Sequence, residues 1–175
     1  MRIEVRFSGV GGQGVVTASR VLAEAAGVRQ GLYVCQTQFY GYAIRGGPST
    51  GNVIISDAEI GYPWIISPDI FVALDQSAMD SGHSAVKDDG LIIADTVYVP
   101  KIPRTSVRVL HLPLTDIADK AGSRRSLNAV ALGALTKFTN IVQFRHLEEA
   151  LLTHVPPKAA EINRNALQMG YEDAL

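Results

Sequence analysis

The sequence predicts an α/β fold of three layers: helices on both faces of a mostly parallel sheet, which can be mixed, and a helical C-terminal third. Three observations predict it. The N-terminus alternates like a strand, meets a glycine cluster and continues with helical spacing. Two later apolar runs, Ile70–Leu74 and Leu91–Ala94, are continuous, as in strands covered on both faces. From Thr115 onward every periodic stretch is helical. A length of 175 residues fits one domain, 1–175, with its own core.

The elements follow in order. Ile3, Val5 and Phe7 alternate with Glu4 and Arg6, so Ile3–Ser8 reads as a first strand. Val15–Ala26 carries apolar residues at helical spacing and stops near Gly27. Leu32–Cys35 is a second strand, and strand, helix, strand in this order forms a βαβ unit with parallel strands. Thr37–Gly51 has no period but contains Phe39, Tyr40, Tyr42 and four glycines, which reads as a long functional loop. Asn52–Ser56 is a strand. No helix fits between Cys35 and Val53, so it can run antiparallel to its neighbours. A short helix over Gln76–Val86 separates the two continuous apolar strands, and Val107–Leu110 is a further strand. Helices are expected over Thr115–Lys120, Leu127–Phe138, Arg145–His154 and Lys158–Met169, with Gly170 as the last helix stop.

Composition narrows the function. The formal net charge of −1 offers no basic excess for nucleic acid or an anionic membrane. The one cysteine, Cys35, excludes an internal disulfide and cannot by itself hold an iron–sulfur cluster, which takes four thiolates. No apolar run is long enough to span a bilayer, and Met1 and Arg2 lead directly into a strand without a signal peptide. A cytoplasmic location is the expectation.

Gly9, Gly11 and Gly14 fit G-x-G-x-x-G between a strand and a helix, the context of a Rossmann-like phosphate-binding turn. Glycines permit a tight turn and close backbone approach, and the free N–H groups of the helix start attract an anion. A dinucleotide site also needs an acid at the end of the second strand, where this chain has Cys35, Gln36, Thr37 and Gln38. Three readings stay open: a dinucleotide site, glycines that only pack helix on sheet, and a turn that holds another phosphate-bearing ligand or a partner's backbone.

Gly9-Val10-Gly11-Gly12-Gln13-Gly14, followed by Ala18-Ser19 and Leu22-Ala23, is more specific than a bare fingerprint. With Tyr40-Gly41 and Arg45-Gly46-Gly47-Pro48-Ser49 at the right distance, it resembles the γ subunit or γ domain of the 2-oxoacid:ferredoxin oxidoreductases. Val53-Ile54-Ile55-Ser56, Pro68-Asp69, Gly90-Leu91-Ile92-Ile93, Asn128 with Gly133, and Asn165 with Gly170-Tyr171 extend the resemblance over nearly the full chain. The R-G-G segment is most similar to subunits of the 2-oxoglutarate enzymes.

The resemblance implies an enzyme complex that converts a 2-oxoacid and coenzyme A to acyl-CoA and CO2 and reduces ferredoxin. It implies thiamine diphosphate and iron–sulfur clusters on other subunits, namely catalytic α and β subunits and an iron–sulfur subunit. This chain would be inactive alone, without catalytic residues, and would support assembly and coenzyme A access. Carried over, Gly9, Gly11, Gly12, Gln13, Gly14, Arg45, Gly46, Gly47, Ser49 and Asn128 become the candidate surface for coenzyme A or a neighbouring subunit. A stand-alone nucleotide-binding oxidoreductase and an assembly module without ligand are the alternatives.

Other residues carry weaker signals. Arg45, beside flexible backbone, suits a phosphate or carboxylate, or an ion pair that pins its loop. Asp75 and Asp95 each follow an apolar strand, at the sheet edge where α/β ligands bind, and Asp75 also suits an N-cap. Arg124 and Arg125 precede Ser126, a candidate N-cap, and two cations at a helix start oppose the macrodipole, which points to an anionic ligand, an acidic partner or a solvated loop. The four histidines lack metal-ligand spacing. Ala129, Ala131, Gly133 and Ala134 make a small-residue helix suited to close packing.

Overall fold

The computed structural model describes residues 1–41 and 46–174. Six strands form one sheet: β1 (Arg2–Val10), β2 (Tyr33–Tyr40), β3 (Pro48–Ser56), β4 (Ile70–Ala73), β5 (Leu91–Asp95) and β6 (Arg108–Leu112). Their spatial order is β2-β3-β1-β4-β5-β6. The β1, β4, β5 and β6 strands are mutually parallel, whereas β3 runs antiparallel to both β1 and β2. The sheet is therefore mixed, with β3 as its one antiparallel strand.

Two sequence expectations change here. The β2 strand does run in the direction of β1, but β3 is inserted between them. The predicted long loop is also much shorter. Thr37–Tyr40 extends β2 and Pro48–Gly51 begins β3, paired as Gln38↔Gly51, Phe39↔Thr50 and Tyr40↔Ser49. The reason is tertiary: β3 pairs on both sides, with β1 as far as Val10↔Pro48, and this double ladder overrides the lack of alternation. Tyr42 and Arg45 lie outside the described residues.

Helix α1 (Val15–Glu24) continues into one π-helical turn, Ala25–Arg29. Then follow α2 (Gln76–Gly82), α3 (Leu114–Lys120), α4 (Leu127–Thr139), α5 (Phe144–His154) and α6 (Ala160–Glu172). The main core lies on one face of the sheet, where Val5, Phe7, Val53, Val72 and Ile93 meet residues of α1, α3, α4, α5 and α6. The opposite core is smaller and centres on Phe71, Ala73, Met79, Ile92, Ala94 and Val99. Only α2 and irregular chain supply that layer, so the third layer is thin. At the β2-β3-β1 end, this second face carries polar side chains: Arg6 Nε donates to Asn52 Oδ1 at 3.0 Å, and the Ser8 and Thr50 hydroxyls lie 3.1 Å apart.

The small-residue helix packs within the chain. A Cβ on Gly133 of α4 would lie 2.2 Å from the Leu167 carbonyl oxygen of α6, and one on Gly170 would lie 2.2 Å from the Val130 carbonyl oxygen. Gly170 is thus not a helix stop. It sits inside α6, which runs on to Glu172, because the two helices cross at backbone distance there.

A polar tie fastens α1 to α5. Glu24 accepts from Arg29 at 2.9 Å and from Thr153 at 3.0 Å, and lies 2.9 Å from His154 Nε2. Burial pushes the Glu24 carboxyl up, but the hydrogen bonds from Arg29, Thr153 and His154 outweigh it and hold the carboxyl below its ordinary range. A depressed folded-state pKa adds stability above the unfolded value, about 4.3 for Glu, and that stability is lost as pH falls through the folded value. Unfolding free energies of the wild type and Glu24→Gln should therefore differ most at neutral pH and converge in acid. A gap that stays constant down to acid pH would remove the carboxylate from this role.

Candidate functional site

The site starts at the end of β1. The Val10 N–H donates to Gln13 Oε1 at 2.8 Å, and Gln13 Nε2 donates to the Leu74 carbonyl oxygen at 2.5 Å. Gln13 is therefore a latch that fastens the glycine turn to the carboxyl ends of β1 and β4. Gly9 leaves the room for it, since a Cβ there would lie 2.3 Å from Gln13 Oε1. Gly12 has φ 98° and Gly14 φ 75°, left-handed conformations that favour glycine.

Gly14 caps α1 with no side-chain hydrogen bond, and no acidic residue stands in the first turn. The first N–H groups of a helix lack intrahelical partners and carry the positive end of its dipole.

The second predicted segment meets the first. The Gly11 N–H donates to the Gly47 carbonyl oxygen at 2.9 Å, and a Cβ on Gly11 would come within 3.3 Å of Gly46 N. Ser49 is buried on β3, opposite Gly9 in register. Asn128 approaches from α4: it is 5% exposed, and its Cγ would lie 2.8 Å from a Cβ on Gly14. Thus Gly9, Gly11, Gly12, Gly14, Gly46, Gly47, Ser49 and Asn128 converge on one place. Gln13 joins them as a structural latch, and Arg45 lies outside the described residues.

Two cavities flank this turn, and Val10 lines both. The larger, about 750 Å³, opens on the polar face of the sheet and is lined by Arg6, Gly9, Phe39, Gly46, Ser49 and Ser81, among others. The smaller, about 340 Å³, is lined by Gly11, Gly12, Gln13, Tyr98, Arg124 and Arg125, with Val10 and Leu127.

Their cations differ. In the larger cavity, Arg6 Nη2 donates to the Ile65 carbonyl oxygen at 2.8 Å, and burial pushes its pKa down against the opposing pull of Glu4. In the smaller one, Arg124 forms a two-pronged ion pair with Asp119, which raises its guanidinium pKa. Arg125 has no ion-pair partner among the described residues.

The two strand-end carboxylates serve the fold. Asp75 caps α2 by accepting from the Ser77 N–H at 2.9 Å. Asp95 is fully buried and accepts from the Thr115 N–H at 2.8 Å, the Thr115 hydroxyl at 2.7 Å and the Tyr98 N–H at 3.0 Å. Ser126 stands before α4 but caps nothing. Its hydroxyl donates to the Ser123 carbonyl oxygen at 2.6 Å, and Ser123 instead accepts from the Arg125 N–H. Cys35 is partly exposed, because β2 is an edge strand.

Sequence reasoning missed Arg6, Phe39, Ser81 and Tyr98 as lining residues. The only available signal for Tyr98 was its position just past a strand end, where α/β ligands gather.

The family model for pyruvate ferredoxin/flavodoxin oxidoreductase matches residues 4–173. The chain belongs to this family. Among its relatives, the 2-oxoglutarate synthase subunit KorC of Methanocaldococcus jannaschii is 41% identical over 177 residues, covering 99% of this chain and 95% of that protein. The γ subunit of a keto/oxoacid ferredoxin oxidoreductase from Geobacter sulfurreducens superposes with a TM-score of 0.88 at 36% identity, over 99% of this chain and 97% of that one. The 2-oxoglutarate:ferredoxin oxidoreductase of Magnetococcus marinus, solved with 2-oxoglutarate, coenzyme A and succinyl-CoA bound, superposes with a TM-score of 0.85 at 25% identity. That match covers 97% of this chain but 30% of the larger protein. The resemblance to γ subunits of 2-oxoacid:ferredoxin oxidoreductases is borne out, and so are the α/β fold and the membership of an oxidoreductase family. No helix among the described residues is long and apolar enough to cross a membrane.

Proposed function

We propose that this chain is the γ subunit of a cytoplasmic, thiamine-dependent 2-oxoglutarate:ferredoxin oxidoreductase, and that its glycine turn forms part of the route by which coenzyme A enters the complex. The observation that carries the coenzyme A reading is the pair of cavities that flank the glycine turn, with Val10 lining both. Coenzyme A has an anionic, phosphorylated end and a long uncharged arm. The smaller cavity offers glycine backbone and two arginines, and the larger is lined by Gly46, Ser49 and Phe39. Relatives that are 2-oxoglutarate synthase subunits, and a structural neighbour holding coenzyme A, support the substrate assignment.

Thiamine diphosphate and the iron–sulfur clusters belong on catalytic α and β subunits and an iron–sulfur subunit, with ferredoxin as the acceptor. The single Cys35 cannot supply a cluster's thiolates. The chain acts as one domain, 1–175, and contributes binding surface in place of reacting groups. A dinucleotide reading is disfavoured: the second strand ends without an acid, and β3 separates it from β1.

Anaerobic purification of the tagged chain from its host should recover larger chains carrying iron and thiamine diphosphate. In the intact complex, Gly12→Ala should raise the KM for coenzyme A several-fold and leave the KM for 2-oxoglutarate unchanged. Among the described residues no atom lies within 4 Å of the position its Cβ would take, and the positive φ adds about 1 kcal/mol of backbone strain. An unchanged coenzyme A KM in a correctly assembled complex would leave only the assembly role.

A further inference from the structure

We infer that the chain docks on a larger subunit of its complex through Trp64, flanked by Tyr62 and Ile66, towards the amino end of β1. The glycine turn lies at the other end of that strand. Residues 57–69, between β3 and β4, form no helix or strand, and in a compact domain a connection of this length is usually functional. The connection crosses the second face of the sheet. Val5 and Phe7 of β1 point into the main core, so Arg2 and Arg6 point to the opposite side. There Arg2 Nη2 donates to the Tyr62 carbonyl oxygen at 3.0 Å, and Arg6 Nη2 donates to the Ile65 carbonyl oxygen at 2.8 Å.

These two clamps hold a segment that turns one large side chain in and three out. Ile65 is buried, whereas Tyr62, Trp64 and Ile66 are 54%, 60% and 72% exposed. Tyr33 of β2, also half-exposed, stands at the same end of the sheet, in the row of Ser56 and Arg2. Apolar residues scattered singly over a surface need no explanation, but a cluster of them marks an interaction site. An aromatic side chain carries about 150–250 Å², so Tyr33, Tyr62 and Trp64 together expose about 300 Å², over a third of the roughly 800 Å² that one partner gives to a standard interface. Tryptophan and tyrosine are also the residue types that anchor such interfaces. Because the clamps already fix the backbone, less conformational freedom is lost on binding.

The charges identify the kind of partner. Residues 61–68 include no charged side chain. Around them the Met1 amino group pairs with Asp57, Arg2 with Glu4 and Lys87 with Asp69. Glu59 is left as the one charge of the connection without an ion pair among the described residues. A surface neutralised in this way has no field to attract a polyanion. It fits an uncharged, apolar recess on another protein, where docking buries no unpaired charge. The occupant is a larger chain of the same oxidoreductase, and on this point the inference rests on the γ-subunit reading. The M. marinus relative carries this fold over 30% of a longer chain, so the same module also exists built into a larger protein.

The test uses the intact complex, purified anaerobically through a tag on this chain. Trp64→Asp and Ile66→Asp should each lower the thiamine diphosphate and iron recovered per tagged chain by about tenfold or more, the loss of an interface anchor. Val28→Asp, an exposed apolar position on the π-helical turn, should leave recovery unchanged. All three side chains are exposed, so the unfolding midpoint of the isolated chain should not move. A second readout needs no variant: hydroxyl-radical oxidation of Trp64, the only tryptophan of the chain, should be several-fold slower in the complex than in the isolated chain. Full recovery with both variants, or Trp64 oxidised equally fast in both states, overturns the docking surface and leaves the γ-subunit reading intact. A wild-type chain that brings down neither thiamine diphosphate nor iron removes that reading, and the occupant with it. An isolated wild-type dimer that Trp64→Asp splits into monomers overturns the inference in favour of a second copy of this chain.

Discussion

Gly133→Ala and Gly170→Ala, made singly, are expected to destabilise the protein by about 3 kcal/mol each, the upper part of the usual range for overpacking a core. The obstacle in each case is backbone, which has no rotamer to yield. The added methyl at 133 would lie 2.2 Å from the Leu167 carbonyl oxygen and 2.7 Å from Tyr171 N. The methyl at 170 would lie 2.2 Å from the Val130 carbonyl oxygen. Relief requires α4 and α6 to separate, and α4 is buried through most of its length. A single separation accommodates both methyls, so the double variant should cost less than the sum of the two. Urea unfolding of the three variants tests this. Singles within about 0.5 kcal/mol of wild type, the level of a neutral surface change, would show that the helices do not cross at backbone distance.

Asp95→Ala should cost about 3 kcal/mol or more, from the loss of charged hydrogen bonds and the stranding of buried donors. The carboxylate has no solvent exposure and receives three hydrogen bonds, two from Thr115 and one from the Tyr98 N–H. It thereby joins the end of β5 to the start of α3, whose N-terminus has no side-chain cap of its own. Asp95→Asn, which keeps the shape but gives up the charge and part of the accepting capacity, should fall between the two. An alanine variant as stable as wild type by thermal and urea unfolding would mean that solvent replaces the carboxylate.

Local patterns were legible from the sequence, and long-range register was not. The first strand, the glycine turn and the first helix form a contiguous unit whose identity depends on near neighbours, and β1 and α1 lie where the pattern indicated. The four C-terminal helices were likewise evident from their periodicity. The extension of β2 to Tyr40 and the early start of β3 were not, because neither stretch alternates and Pro48-Ser49-Thr50-Gly51 is poor in strand formers. Pairing across the sheet makes them strands. Gly170 misled for a related reason. A glycine near a helix end serves equally as a stop or as a close-packing contact, and only the position of α4 distinguishes the two.

The candidate site divides along the same line. By itself the sequence determined the glycine turn, the family resemblance, the missing acid after the second strand and a single cysteine, short of the four thiolates a cluster takes. These are properties of short segments or of composition, and they survive any arrangement of the rest. Only the tertiary structure decided that Gly11 binds Gly47, that Gln13 serves as a latch, and that Asp75 and Asp95 support helices. It alone brought Arg125 and Asn128 to a turn more than a hundred positions earlier in the chain. The physical reason is that a binding site is a meeting of helix ends, strand ends and charges in space. Their partners are chosen by the packing of the core, which the order of residues encodes only through the whole fold.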